Sequence, residues 1–395
     1  MRRQLHIFPS FAMGGAQRRL IQLATALADE WSHTIVTLDG EEGAASAFPQ
    51  NVRLEVRSLP LKKGLGLSPE NIATLKDIIR DVNPSLLCTY NWGSIEAILA
   101  NRIGSRLPHL HFEDGFGPDE AQRLSKARNL VRRIGLATGA HLVVPSVGLA
   151  AIGKRHWGVP PHRLHHIPNG IDTSLFQPSE GESRTQMVIG YVGALRPEKN
   201  PMRFLEVVEG VSGLSAIMVG GGPEEEGLRR RARSRGLAIH FAGHIDNLAA
   251  EYRRFDALLL TSDTEQMPLA VLEAMASGLP VVSTNVGDVR NMVSAENLPF
   301  IAPGCDPADL TKALQTLALD PALRRKVGAA NRQKATQQYS QSRMISAYCD
   351  LYANVTASAH PSLRQGHQGL ADTSDSRLNP APPQSTEHTP SGPAG

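Results

Sequence analysis

Short apolar runs recur along the chain, separated by stretches in which apolar residues return every three or four positions. "QLHIF" (residues 4–8) is followed by the helical pattern "AQRRLIQLATALAD", and "HTIVTLD" then reads as a strand again. "PSLLCTY" leads to the helical "GSIEAILANRIG", then to the strand-like "HLHFED"; "HLVVPS" follows a basic helical stretch. Such alternation predicts β-α-β units wound into a parallel sheet. The rhythm pauses at "HHIPNGIDTSLFQPSEGESRTQ" (165–186), which is rich in Pro, Gly, Ser and charge. It restarts with "MVIGYVG", "SAIMVGGGP", "IHFAG", "DALLLTS" and "LPVVSTN", a second strand series with its own core. The pause predicts a domain boundary. The expected organisation is a first domain over 1–170, a linker over 171–186 and a second domain over 187–337. A final helix over 338–355 has apolar residues at helical spacing and is expected to pack on one domain or to bridge both. From 356 the chain is polar, aperiodic and rich in Pro, Ser, Gly and Thr; it has too little apolar surface to offset its ordering entropy, and the expectation for 356–395 is disorder.

The length of 395 residues suits two domains of ordinary size, and a composition of 41% hydrophobic and 20% charged residues suits two cores. A net charge of only +3 argues against a nucleic-acid binder. The three cysteines, Cys88, Cys305 and Cys349, have no paired spacing, so neither a disulfide framework nor a zinc site is indicated. No apolar run approaches the roughly 20 residues of a membrane span. The basic start "MRR" is followed by an apolar stretch broken by His6, Pro9 and Ser10; this reads as a first strand rather than a signal peptide, and a cytoplasmic location is expected.

The segment that carries chemistry is "TEQMPLAVLEAMASGLPVVSTN" (264–285). Glu265 falls in the loop at the carboxyl end of the strand "DALLLTS", where ligands bind in open α/β sheets. The helix that follows opens on Pro268 and stops at Gly278, with backbone N–H groups of Leu269 and Ala270 free to face a phosphate. Glu273 lies about one and a half turns further in. Taken alone, the pair is a charged loop residue and a glutamate on a solvated helix face. The helix is apolar nearly all round, however, which predicts burial, and a buried carboxylate needs a partner.

This stretch resembles the E-x7-E segment of retaining glycosyltransferases of the GT-B fold, family 4. The resemblance extends over nearly the whole globular part, through "GGAQR" (14–18), "HFEDGFGPDE" (111–120), "IPNGID" (167–172), "YVGALRPEKNP" (191–201) and "VGGGPEEEGLRR" (219–230). It implies a GT-B architecture, two doubly wound Rossmann-like domains facing a cleft, with the acceptor on the first and the nucleotide sugar on the second, and a last helix (338–355) that crosses back to the first domain. It implies that Glu273 accepts hydrogen bonds from the nucleotide ribose and that Glu265 faces the donor sugar at the reacting carbon. The reaction it implies is transfer of a hexosyl group from a nucleotide sugar, UDP- or GDP-linked, to an acceptor hydroxyl with retention. The acceptor it implies is a sugar or a lipid-linked acceptor, in surface polysaccharide or glycolipid synthesis.

Other motifs fit around these two carboxylates. Arg196 and Lys199 of "GALRPEKN" sit in a strand-to-helix loop, as a polar turn or as the positive charge that neutralises a leaving diphosphate. The family's arginine directly after the glycine is here Ala194, so Arg196 stands two residues late. Gly15 of "MGGAQRRL" opens a helix through a tight turn that also lets phosphate or sugar approach the backbone; the family's frequent glutamate is here Gln17. "GGGP" (220–223) is expected to line the site. His111, Glu113 and Asp114 end a strand of the first domain, either as a core histidine with solvated acids or facing the cleft across from Glu265. The family often has a histidine here that touches the donor sugar, and Asp114 is the candidate to act as base for the acceptor hydroxyl or to position it. The basic stretch 123–135 has Leu124, Ala127, Leu130, Val131 and Ile134 as an apolar face, suited to cover a core beneath a solvated face, or to meet acidic lipid headgroups in peripheral membrane contact or a phosphorylated acceptor. No Asp-x-Asp or His/Cys metal spacing occurs in the globular part, so neither a metal nor another cofactor is expected. Two rivals remain, a nucleotide-sugar epimerase of the same fold and a catalytically silent nucleotide-binding scaffold.

Overall fold

The computed structural model describes residues 1–61, 67–116, 120, 124–179, 186–245 and 247–359. Two wholly parallel sheets form. The first contains β1 (Arg2–Phe8), β2 (Trp31–Thr37), β3 (Leu54–Ser58), β4 (Leu86–Tyr90), β5 (His109–Phe112), β6 (His141–Val144) and β7 (Leu164–His166), in the spatial order β3-β2-β1-β4-β5-β6-β7. The second contains β8 (Met187–Val192), β9 (Leu214–Val219), β10 (Ile239–Gly243), β11 (Ala257–Leu260) and β12 (Val281–Ser283), in the order β10-β9-β8-β11-β12. In each sheet the order of strand addition reverses beside the first strand, at β1/β4 and at β8/β11, and those switch points are where a doubly wound sheet leaves a crevice at its carboxyl edge.

Helices cover the faces of the sheets, as parallel crossovers require. In the first half they are α1 (Gly15–Ala26), α2 (Pro69–Val82), α3 (Glu96–Ile103), α4 (Lys126–Ala137) and α5 (Val147–Arg155). In the second they are α6 (Pro201–Glu209), α7 (Glu225–Ser234), α8 (Leu248–Tyr252), α9 (Leu269–Ala276), α10 (Val289–Met292), α11 (Pro307–Leu319) and α12 (Pro321–Gln338). Proline in the first turn of α2, α6, α11 and α12 is pre-set for helical φ and gives up an N–H that has no partner there anyway. The last helix, α13 (Gln341–Ala359), returns to the first half: Met344, Tyr348, Leu351, Tyr352 and Val355 are buried in one cluster with Phe8, Leu23, Trp31 and Phe112. It runs past the expected stop at residue 355; of the stretch 356–395 expected to be disordered, residues 360–395 lie outside the described residues.

Polar contacts join the two halves across the cleft. The carboxylate of Asp288, at the start of α10, accepts hydrogen bonds from the backbone N–H groups of Val147 (2.5 Å) and Gly148 (3.2 Å) and so caps α5 of the other half. Ser146 Oγ donates to Gln266 Oε1 at 3.3 Å, and Asn169 Nδ2 to the Met267 carbonyl at 3.4 Å.

Candidate active site

The cleft between the sheets encloses about 910 Å³. On its second-domain wall, α9 is buried as its composition required: Val271, Leu272, Ala274, Met275 and Ala276 have no exposed surface. Glu273, only 4% exposed, takes a hydrogen bond from the Tyr252 hydroxyl (2.8 Å to Oε2) and an ion pair from Arg18 of α1 (3.4 Å to Oε1). Burial raises its carboxyl above the ordinary range, against the pull of Arg18 and Tyr252 toward the ionised form. Leu269 and Ala270 line the cleft at the start of α9, where no side chain caps the helix. Opposite, α1 begins at Gly15 without a side-chain cap, and a Cβ on Gly15 would stand 3.7 Å from Leu269. The positive ends of two helices therefore meet across the gap.

Glu265 is bound by Lys199 Nζ at 2.6 Å and by Ser262 Oγ at 2.8 Å, both on the same oxygen, Oε1. Lys199 arrives on the loop after β8, and that loop is strapped to the end of β9. Gly193 N–H donates to the Val219 carbonyl and Leu195 N–H to the Gly221 carbonyl, each at 3.0 Å. The glycines of "GGGP" enable this approach. A Cβ on Gly220 would lie 2.0 Å from the Gly193 carbonyl oxygen, and one on Gly222 would lie 2.4 Å from that of Leu195. They do not line the cleft, as the sequence suggested; they seat the loop that does. Arg196 is exposed on that loop and lines the cleft. Among the described residues its guanidinium has no carboxylate partner.

The first-domain wall departs further from expectation. His111 has no exposed surface; its Nδ1 lies 2.9 Å from Thr89 Oγ1, within the sheet, and it does not line the cleft. The alternation of a strand explains this, since residues 110 and 112 fill the opposite face. Glu113, 1% exposed, is buried too, 3.3 Å from Arg132 Nε. Asp114 does reach the cleft, with both oxygens engaged by Arg19 (2.5 and 2.9 Å). Arg19 is 4% exposed; burial opposes its charge, but Asp114 outweighs that and the net shift is upward.

Several cleft residues had no local signal in the sequence. Arg18 and Arg19 reach Glu273 and Asp114 from α1, and Tyr252 reaches Glu273 from α8. Trp92, Phe116, Glu120, Arg128 and Arg132 form the far end of the first-domain wall. There α4 buries Arg132 (1% exposed) together with Gly135 and Leu136, whereas Leu130 (59%) and Ile134 (48%) face outward. Of the expected apolar face, Val131 packs on the core but Leu130 and Ile134 do not; residue 123 lies outside the described residues. Among the described residues, no three His, Cys, Asp or Glu side chains converge to hold a metal ion, and no helix is long and apolar enough to cross a membrane.

Two family models match, Glycosyltransferase Family 4 over residues 13–175 and Glycosyl transferases group 1 over 172–334. The chain is 27% identical over 227 residues to a D-inositol 3-phosphate glycosyltransferase of Streptomyces bingchenggensis, covering 51% of this chain and 50% of that one. It is 28% identical over 240 residues to a GDP-mannose-dependent alpha-(1-6)-phosphatidylinositol monomannoside mannosyltransferase of Mycobacterium tuberculosis, covering 55% and 62%. The chain thus spans about half the length of the curated relatives it matches. Anabaena Alr3699/HepE, solved in complex with UDP, superposes with a TM-score of 0.76 at 18% identity, over 89% of this chain and 100% of that one, a likeness of fold.

Proposed function

Because the chain belongs to the GT-B glycosyltransferases of group 1 and family 4, we propose that it moves a hexosyl group from a nucleotide sugar to an acceptor hydroxyl with retention of configuration. The observation that carries this reading is the placement of Glu265, Lys199 and Glu273 along one wall of the cleft, at the β8/β11 switch point. Glu273 accepts from the ribose hydroxyls, with Tyr252 and Arg18 holding its carboxylate in place. The diphosphate lies between the opposed starts of α1 and α9, with Arg196 and Lys199 supplying positive charge. Glu265 stands beside the anomeric carbon and stabilises the positive charge that develops there.

The bond from the anomeric carbon to the diphosphate oxygen breaks, the bond to the acceptor oxygen forms on the same face, and the acceptor proton passes to the departing diphosphate. Asp114, with both oxygens already on Arg19, orients the acceptor rather than removing its proton. Charge neutralisation by Arg196 and Lys199 makes the transfer metal-independent in this reading, with no cofactor beyond the donor. UDP- and GDP-sugars are the donor classes proposed, in line with relatives named for GDP-mannose and a neighbour solved with UDP. The outward face of α4, with Leu130 and Ile134 beside Lys126 and Arg133, supports peripheral contact with an anionic cytoplasmic membrane face while the enzyme works on a lipid-linked acceptor.

A thermal-shift panel with UDP, GDP, ADP and their sugars, run in EDTA, tests the reading. A ligand at one hundred times its dissociation constant stabilises by about 2.7 kcal/mol. A shift with one nucleotide class that is lost in Glu273→Ala is expected; no shift with any of them refutes the reading.

A further inference from the structure

The end of the cleft away from the nucleotide carries charges that the transfer described above does not use. Arg132 is ringed by Trp92, Phe116 and Trp157, with its guanidinium carbon 5.2–5.3 Å from each ring centre. It makes a two-pronged contact with Glu120 (3.1 and 3.0 Å), and its Nε lies 3.3 Å from Glu113. Arg128 also bonds Glu120, at 3.2 Å, and stands 5.3 Å from the centre of the Trp92 ring. Two guanidinium groups thus face two buried carboxylates, and Glu120 is fixed further by the Ser125 N–H at 2.9 Å. Arg19, the next cation along this wall, is taken by Asp114. In the neighbouring stretches outside the described residues, the two ionisable residues, Asp119 and Arg123, carry opposite formal charges.

We propose that this end of the cleft is an acceptor subsite for an uncharged sugar ring, packed on Trp92 and Phe116, and that it disfavours a phosphate monoester. The inference rests on the glycosyltransferase reading and narrows its acceptor. A phosphate is captured by arginine forks with donors to spare. Here the fork of Arg132 is already spent on Glu120, and withdrawing it would strip a buried carboxylate of its two-pronged partner, a costly loss at a site shielded from water. The contrast with the opposite wall is direct, because there the Arg196 guanidinium has no carboxylate partner among the described residues. A sugar asks for something else: aromatic surface for its C–H face and a few fixed polar groups for its hydroxyls. Half-buried Trp92 and Phe116 supply the first, and the pinned Glu120–Arg128 pair supplies the second. The relatives named for D-inositol 3-phosphate take a phosphorylated acceptor by that name; the paired wall sets this chain apart from such a preference.

The test is calorimetric titration of the full chain with octyl glycosides of glucose, galactose, mannose and N-acetylglucosamine, and with D-inositol 3-phosphate and glucose 6-phosphate. Titrations are run both without nucleotide and with UDP or GDP. At least one glycoside is expected to bind about tenfold more tightly than either phosphate, with Trp92→Ala removing about tenfold and Trp92→Phe keeping most of the affinity. Glu120→Gln uncovers positive charge and is expected to gain about tenfold for glucose 6-phosphate, a gain that misfolding cannot produce. Phosphates binding as well as the glycosides in the wild type, no glycoside binding at all, or an indifferent Trp92→Ala would each overturn the proposal. If glycosides bind but neither nucleotide does, the subsite stands and the transferase reading fails.

Discussion

Gly221 and Gly222 are adjacent, both lack a strained left-handed φ, and the fold asks opposite things of them. A Cβ on Gly221 would meet nothing nearer than Glu225 Oε2, at 3.7 Å; one on Gly222 would stand 2.4 Å from the Leu195 carbonyl oxygen and 2.8 Å from its carbon and nitrogen. Real Cβ contacts essentially never fall under 3.0 Å, so Gly222→Ala must push the backbone at Leu195 away by at least about 0.6 Å. That backbone leads into Arg196 and Lys199, and Lys199 sits 2.6 Å from Glu265. Overpacking of this kind costs about 1–3 kcal/mol of stability. A misplacement approaching 1 Å at a reacting group costs up to about a hundredfold in rate, so a loss of at least about tenfold in kcat/KM is expected. Gly221→Ala should leave both unchanged. The assay is nucleotide release from the preferred nucleotide sugar, with melting temperatures measured in parallel. Wild-type turnover in Gly222→Ala, or equal damage from Gly221→Ala, would refute the claim that this glycine seats the phosphate-facing loop.

Glu273→Gln removes a carboxylate that burial pushes toward its protonated form. Because its folded pKa is raised, its contribution to stability falls as pH rises above the ordinary carboxyl range; the ligand-free variant should therefore melt no lower than wild type at pH 7 while losing nucleotide affinity. His33, 3% exposed beside His6, is pushed down to about 4 by burial. Its folded pKa is depressed, so stability present above pH 6.5 is lost as pH falls toward 4, by about 3 kcal/mol; urea midpoints should drop over that window, and less steeply in His33→Gln. Arg196→Ala should weaken UDP or GDP by about tenfold and leave the corresponding monophosphate nearly unaffected, in titrations of each.

The second sheet was legible in the sequence because four of its strands, β8, β9, β11 and β12, are largely buried and read as apolar runs, and the half-buried edge strand β10 still carries the short apolar run "IHFAG". β3 and β7 were not: "LEVRS" and "LHH" are only partly buried, and their residues mix apolar with charged or imidazole side chains. Glu265, Lys199 and Glu273 were legible because short loops and one helix fix their spacing. His111 was misplaced toward the cleft, since a motif gives a position in the chain but not the face of the strand. Arg132 and Glu120 escaped because periodicity assigns an apolar stripe to the core. On α4 the core instead receives an arginine, which carboxylates from a preceding segment make tolerable, and Leu130 and Ile134 turn outward. No local rule predicts that exchange, because the partners that permit it are fixed by the tertiary fold.

The central claim is sugar transfer at Glu265, and its most direct measurement is product formation in EDTA by wild type and Glu265→Gln. Nuclear magnetic resonance would follow the anomeric signal while nucleotide binding is measured separately. Wild type is expected to form a glycoside with the donor's anomeric configuration. Glu265→Gln is expected to lose at least about a hundredfold in kcat, with nucleotide affinity intact. An inverted product, or undiminished turnover in Glu265→Gln, would contradict it.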